Sequence, residues 1–179
     1  MPQETLKSWI EIIPPNIGWY IAGFVDGEGS FVIALRKRSD FVKKWQTNLI
    51  FNVAQRDISN LVMIKKYLGI GRLQTRKDGV HYYIVENPQD IHNRIIPFFK
   101  RYNFFSELKK KNFAIFGKAA DIMRNKKHLT KDGLLEVIML REKINEGKGR
   151  KRKYNLQDYL NSQKSSETIR QTPLIQEMI

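Results

Sequence analysis

The sequence predicts an α+β fold, a four-stranded antiparallel sheet with helices packed on one face, in the order αββαββα followed by further helices. Three observations predict it. Residues 30–38 and 47–55 alternate apolar and polar side chains with the period of two that a half-buried strand requires. Asp78-Gly79 lies between two further alternating segments, 71–76 and 80–86, which marks a hairpin. Apolar residues at helical spacing fill the stretches before, between and after these strand pairs.

Pro14-Pro15-Asn16 opens the first helix, with Asn16 suited to accept hydrogen bonds from the first helical amides. The helix is expected over residues 17–26. It is apolar on every side (Trp19, Tyr20, Ile21, Ala22, Phe24, Val25), so burial all round is expected, part of it against another copy. In the first strand Phe31, Ile33 and Leu35 point one way and Ser30, Val32, Ala34, Arg36 and Arg38 the other. The second turns Leu49, Phe51 and Val53 inward and Asn48 and Asn52 outward. Residues 56–67 read as an amphipathic helix through Ile58, Leu61, Ile64 and Leu68, stopped by Gly69. Arg72, Gln74 and Arg76 line the outward side of the third strand.

Residues 88–101 and 109–126 are helical by spacing, the latter through Phe113, Phe116, Ala120 and Met123. Thr130 opens one more helix, carrying Leu134, Leu135, Ile138 and Leu140 and closing near Gly147. A single domain is expected, with its core over residues 1–147. Residues 148–179 are its basic arm and polar tail, and Lys148 and Arg150 in the arm are suited to gripping phosphates.

Composition narrows the function. The 32 Lys and Arg against 18 Asp and Glu leave a net charge of +14, a self-repulsion that an acidic partner relieves, so nucleic acid is expected. There are no cysteines, which excludes disulfides, thiolate zinc and iron–sulfur centres. His81, His92 and His128 sit in no metal-ligand spacing. No apolar run approaches ~18 residues and the start lacks a signal-peptide pattern, so the expectation is no membrane and no secretion. With helices covering the Phe, Ile and Leu face, the other face presents Arg36, Arg38, Asn48, Asn52, Arg72, Gln74 and Arg76. Arg pairs with guanine edges and Asn or Gln with adenine edges in the major groove, so this face is suited to reading double-stranded DNA.

The chemistry concentrates in the segment Ile21-Ala22-Gly23-Phe24-Val25-Asp26-Gly27-Glu28-Gly29. Gly23 and Gly27 share a helical face and Ala22 adjoins them, so two such helices could pack closely, with Ala22, Gly23, Asp26 and Gly27 at the contact. Asp26 and Glu28 fall at a helix C-terminus, where the dipole already disfavours carboxylates. If two helices pack in parallel about a dyad, both Glu28 carboxylates meet and either share a proton or bind cations, for which Mg²⁺ is suited. The same residues fit a plainer reading equally well, with Asp26 capping a turn and Glu28 solvated.

This segment closely resembles the signature of the LAGLIDADG homing endonucleases, with Ile for the first Leu and Glu for the second Asp. The resemblance extends through Phe51-Asn52-Val53-Ala54-Gln55, Gly69-Ile70-Gly71, Leu108-Lys109-Lys110-Lys111-Asn112 and His128-Leu129-Thr130 with Gly133-Leu134. Ser165-Ser166-Glu167-Thr168-Ile169-Arg170 is similar to the tail of the homodimeric branch. The motif occurs once, and in this family single-motif chains form homodimers.

The resemblance implies an intron-encoded, site-specific endonuclease that makes double-strand breaks at a long pseudo-palindromic site. It implies Glu28 as the metal-binding acid, the Gly27 carbonyl as a backbone ligand, and Mg²⁺ or Mn²⁺ as cofactor. Gln55 matches a residue that orders water and Lys109 a basic residue near the scissile phosphate, while Ser59 stands where the family has an arginine. Cuts across the minor groove leaving short 3′ overhangs follow from the same likeness. The protein would work beside its host DNA, in a chloroplast, a mitochondrion or a prokaryotic cytoplasm. The alternative is an RNA-binding intron maturase on the same scaffold.

Overall fold

The computed structural model describes residues 8–38, 44–145 and 152–170, with the side chains of residues 164–170 excepted. Helix α1, Pro15–Glu28, starts earlier than the sequence suggests. Pro15 stands in its first turn, where a fixed φ is already helical and the missing N–H costs nothing. Pro14 occupies the N-cap without a side-chain cap bond, so Asn16 lies inside the helix and does not cap it. The helix is buried on one face only, through Gly18, Ile21, Ala22 and Val25. Trp19 and Tyr20 remain 47% and 49% exposed, which corrects the expectation of burial all round.

At its far end α1 passes without a loop into β1, Gly29–Lys37. A Cβ at Gly29 would stand 2.4 Å from Cγ1 of Val25 and 2.7 Å from its carbonyl oxygen, so only glycine lets the chain leave the helix this tightly. Strands β2, Trp45–Gln55, β3, Arg72–Thr75, and β4, His81–Val85, complete an antiparallel sheet in the order β1-β2-β4-β3. Helix α2, Ile58–Leu68, is capped by the Asp57 carboxylate, which accepts from the Ser59 amide, and closed by Gly69 at φ 68°. Ile58 faces outward, 38% exposed, so the apolar stripe of α2 runs through Leu61, Ile64 and Leu68.

The stretch expected as one helix over 88–101 comprises α3, Pro88–Asp90, a π turn, Ile91–Ile95, and α4, Ile96–Arg101. Asn87 caps its start. Pro97 has no N–H to give to the preceding turn, and the wider turn lies just before it. Helix α5, Glu107–Arg124, and α6, Lys131–Lys143, follow, capped by Ser106 and Thr130. Helix α6 ends at Lys143, short of Gly147.

The core lies between the sheet and these helices. Phe31 is its hub, with ring centroids 5.3 Å from Phe51, 5.9 Å from Phe99 and 5.1 Å from Phe116. Gly18 lets Tyr102 lie against α1, because a Cβ there would come within 2.2 Å of the ring. Gly18→Ala should therefore lower stability by about 1–3 kcal/mol, the usual cost of overpacking, read as a drop in melting temperature.

Helix α7, Leu156–Arg170, corrects the reading of residues 148–179 as arm and polar tail. Tyr154, Leu156, Tyr159 and Leu160 form a second apolar cluster with Leu35, Trp45, Leu134 and Ile138. Trp45 Nε1 donates to Ser162 Oγ at 2.7 Å, tying α7 to the edge of β2. Lys148 and Arg150 lie outside the described residues. Among the described residues, no helix is long and apolar enough to cross a membrane.

Candidate functional site

Two features converge at the end of the sheet where α1 meets β1. The first is the uncovered sheet face. Its rows follow from the register: Ser30, Asn52, Ile84 and Arg72 lie abreast across all four strands. Ala54, Tyr82 and Gln74 form the next row, and Ala34 with Asn48 and Arg36 with Gln46 lie towards the other end. The sheet thus brings Arg36, Asn48, Asn52, Arg72 and Gln74 onto one surface, as the alternation predicts.

Arg38 and Arg76 lie just beyond strand ends. Arg38 Nη1 donates to Gln46 Oε1 at 3.2 Å, and the Arg76 guanidinium rests 4.1 Å from the centroid of Tyr82. Arg72 pairs with Glu86 at 2.7 Å. Gln46, Tyr82 and Glu86 were missed from sequence. Tyr82 shares the strand period with Ile84, which was the available signal. The face is also less polar than expected, since Val32, Ile50 and Ile84 occupy its middle, half-buried.

The second feature is the acidic end of α1. Glu28, its last residue, is exposed and makes no hydrogen bond to another described residue. The last carbonyls of a helix lack intrahelical partners, so the Gly27 oxygen at this end can also serve as a ligand. Antiparallel pairing sets Gly29 opposite Val53, so Gln55 stands at the same sheet end as Glu28. Gln55 Oε1 accepts the Arg56 amide at 2.9 Å, and its NH₂ group donates to no described residue. Ser59, where the family pattern has an arginine, gives its amide to Asp57 at 2.8 Å.

Lys109 arrives on the first turn of α5, and its Nζ donates to the Gly29 carbonyl. Burial pushes the Lys109 ammonium below the ordinary lysine range, while Asp26 and Glu28 pull it back. The structure therefore brings Glu28, Gly27, Gln55 and Lys109 to one end of the molecule.

Asp26, expected at a dimer contact, is engaged within its own chain. Its carboxylate accepts the amides of Phe105 at 3.0 Å and Ser106 at 2.9 Å, and also the Ser106 hydroxyl. Burial alone would raise its pKa, yet these hydrogen bonds outweigh that and hold it below the ordinary aspartate range. The positive end of α5 thus neutralises one of the two acids that the α1 dipole disfavours. Glu28 makes no hydrogen bond among the described residues, and Lys109 is a charged neighbour whose ammonium feels it.

Ala22 corrects the expected contact set, since it is 1% exposed and belongs to the core of its own chain. Gly23 and Gly27 do lie on the open side of α1, and a Cβ built at either meets nothing within 4 Å. They form a shallow notch in the helix surface.

Among the described residues, no group of three or more His, Cys, Asp or Glu could cage a metal. The donor set is one carboxylate and one carbonyl, hard oxygens that suit Mg²⁺ or Ca²⁺ only when other ligands complete the shell. A second copy and phosphate oxygens would supply them, which the exposure of Glu28 allows.

Known proteins resemble this chain in sequence and in fold. The family model described as LAGLIDADG endonuclease matches residues 21–120. The DNA endonuclease I-CreI of Chlamydomonas reinhardtii is 29% identical over 137 residues, 74% of this chain and 80% of that protein. Among solved structures, the archaeal intron-encoded homing endonuclease I-Vdi141I complexed with DNA superposes with a TM-score of 0.77 at 28% identity, covering 84% of this chain and 96% of that one. I-SmaMI, bound to an uncleaved DNA target in the presence of calcium ions, gives 0.69 at 30% identity, covering 74% of this chain and 46% of that one. The chain spans only 26–32% of the length of the first three curated relatives it matches.

Proposed function

The chain belongs to the LAGLIDADG endonuclease family, and from that premise we propose that it is a divalent-metal-dependent DNA endonuclease acting as a homodimer at a long, roughly palindromic site. The observation that carries this reading is the exposed Glu28 carboxylate beside Lys109, at the end of a sheet whose free face bears base-reading side chains. Two copies joined through the Gly23 and Gly27 notch bring two such ends together about a dyad, so a twofold protein reads two half-sites.

Glu28 and the Gly27 carbonyl would hold the cation, proposed to be Mg²⁺ or Mn²⁺. When bound, it supplies positive charge at the scissile phosphate and lowers the pKa of a water. Lys109 adds a fixed positive charge against the phosphate, in a half-buried setting where charge counts for more than in water. Gln55 orients water through its free amide. Arg36, Arg38, Asn48, Asn52, Arg72, Gln74 and Arg76 contact the duplex, with Lys148 and Arg150 assigned to phosphates. An RNA-binding maturase has no use for an exposed carboxylate aimed at phosphate, and the endonuclease reading is preferred for that reason. The protein would act beside the DNA of its host intron, in an organelle or a prokaryotic cell.

Selection of cleaved sites from a randomised DNA library with Mg²⁺ tests the proposal; failure to enrich any cleaved site refutes it. The same selection tests the reading face. Among the described residues nothing engages the Asn52 and Gln74 amides, so both are free to meet adenine edges. Asn52→Ala and Gln74→Ala should each relax preference at one base pair per half-site, at a cost of about 1–3 kcal/mol for the preferred sequence. An unchanged selection profile would remove them from base readout.

A further inference from the structure

We infer that Asp26 is a positioning residue for Lys109, acting through Ser106; this rests on the cleavage reading above, in which Lys109 stands at the scissile phosphate. The contacts form a circuit around Glu28. The Asp26 carboxylate takes the Phe105 and Ser106 amides, at 3.0 and 2.9 Å, and the Ser106 hydroxyl. Ser106 Oγ accepts the Lys109 amide at 3.4 Å as the N-cap of α5. Lys109 Nζ then returns to the Gly29 carbonyl. Asp26 and Gly29 are the second neighbour and the next neighbour of Glu28 in the chain, so both ends of the circuit are fixed to the backbone that carries the metal-binding acid.

The circuit has a mechanical consequence. Phe104 anchors the chain in the core, while Phe105 beside Ser106 is 82% exposed with its ring 6.5 Å from that of Trp19, so the Asp26 bonds hold the stretch between that anchor and α5. Charge-assisted bonds to a carboxylate are stronger and more directional than neutral ones, and here they set where α5 begins. Lys109 lies one turn into that helix, so a shift of its start carries the ammonium away from Glu28. Displacements of about 1 Å at a reacting centre can cost on the order of a hundredfold in rate.

The test is a double-mutant cycle in single-turnover cleavage at saturating enzyme, with Asp26→Ala, Lys109→Met and their combination. Asp26→Ala alone should slow cleavage by about a hundredfold, with DNA affinity in Ca²⁺ kept within about threefold. Because it acts through Lys109, it should slow the Lys109→Met enzyme by no more than about threefold further. Ser106→Ala, a milder change, carries the same cycle if Asp26→Ala folds poorly. Independently of activity, hydrogen exchange at the Phe105 and Ser106 amides should quicken by about tenfold or more in Asp26→Ala. Multiplying rate losses, or unchanged exchange, overturns the inference while leaving the endonuclease reading intact. Wild-type cleavage by Lys109→Met overturns the role of Lys109 in that reading, and the inference with it.

Discussion

Glu28→Gln slows DNA cleavage by at least about a thousandfold, about 4 kcal/mol of barrier, while the protein still binds its target. Gln keeps the size and one oxygen of Glu but not the negative charge that holds a divalent cation. The carboxylate is exposed and makes no hydrogen bond to another described residue, so its loss leaves folding stability within about 0.5 kcal/mol. DNA affinity measured without divalent metal, and so without cleavage, should be equal to the parent's or slightly higher, because one negative charge facing the phosphates is gone. Cleavage by Glu28→Gln at the parent rate would take Glu28 out of the chemistry.

Gly23→Leu should separate the dimer without harming the chain. In the single chain a Cβ at Gly23 meets nothing within 4 Å, and Leu is favoured over Gly inside a helix by about 0.8 kcal/mol. The isolated fold should therefore be as stable as the parent or slightly more so. In a parallel helix pair about a dyad the same side chain enters the interface twice, where overpacking costs about 1–3 kcal/mol at each site. A dimer dissociation constant raised by a hundredfold or more is expected, roughly 2.7 kcal/mol, together with loss of double-strand cutting. Sedimentation velocity alongside thermal melting reads both effects. A variant that stays dimeric shows that the notch is not the contact.

The sheet was legible because its signals are local and periodic. Alternation over residues 30–38 and 47–55 and the Asp78-Gly79 turn are properties of adjacent residues, and both strand pairs formed where they point. Glu28 was read as a cation ligand from its place at a helix end, with a plainer reading left open, whereas Lys109 was reached through a resemblance alone, since neither spacing nor composition brings residues 28 and 109 together. What escaped was set by tertiary contacts. Nothing near Asp26 in sequence announces that its partners are Phe105 and Ser106. Ala22 looked like an interface residue beside Gly23, yet a helix turns by about 100° per residue, and one step moved it into the core. Helix α7 was hidden because its apolar residues, Leu156, Tyr159 and Leu160, are few and gain their meaning only against Trp45 and Leu35.

The pairing of two Glu28 side chains over a duplex is most directly tested by anomalous diffraction from Mn²⁺ in crystals of the protein with its selected DNA site. The account predicts manganese bound by Glu28 of two copies related by a twofold axis, at the ends of two α1 helices packed through Gly23 and Gly27. A single copy on the DNA, or manganese bound away from Glu28, would contradict it.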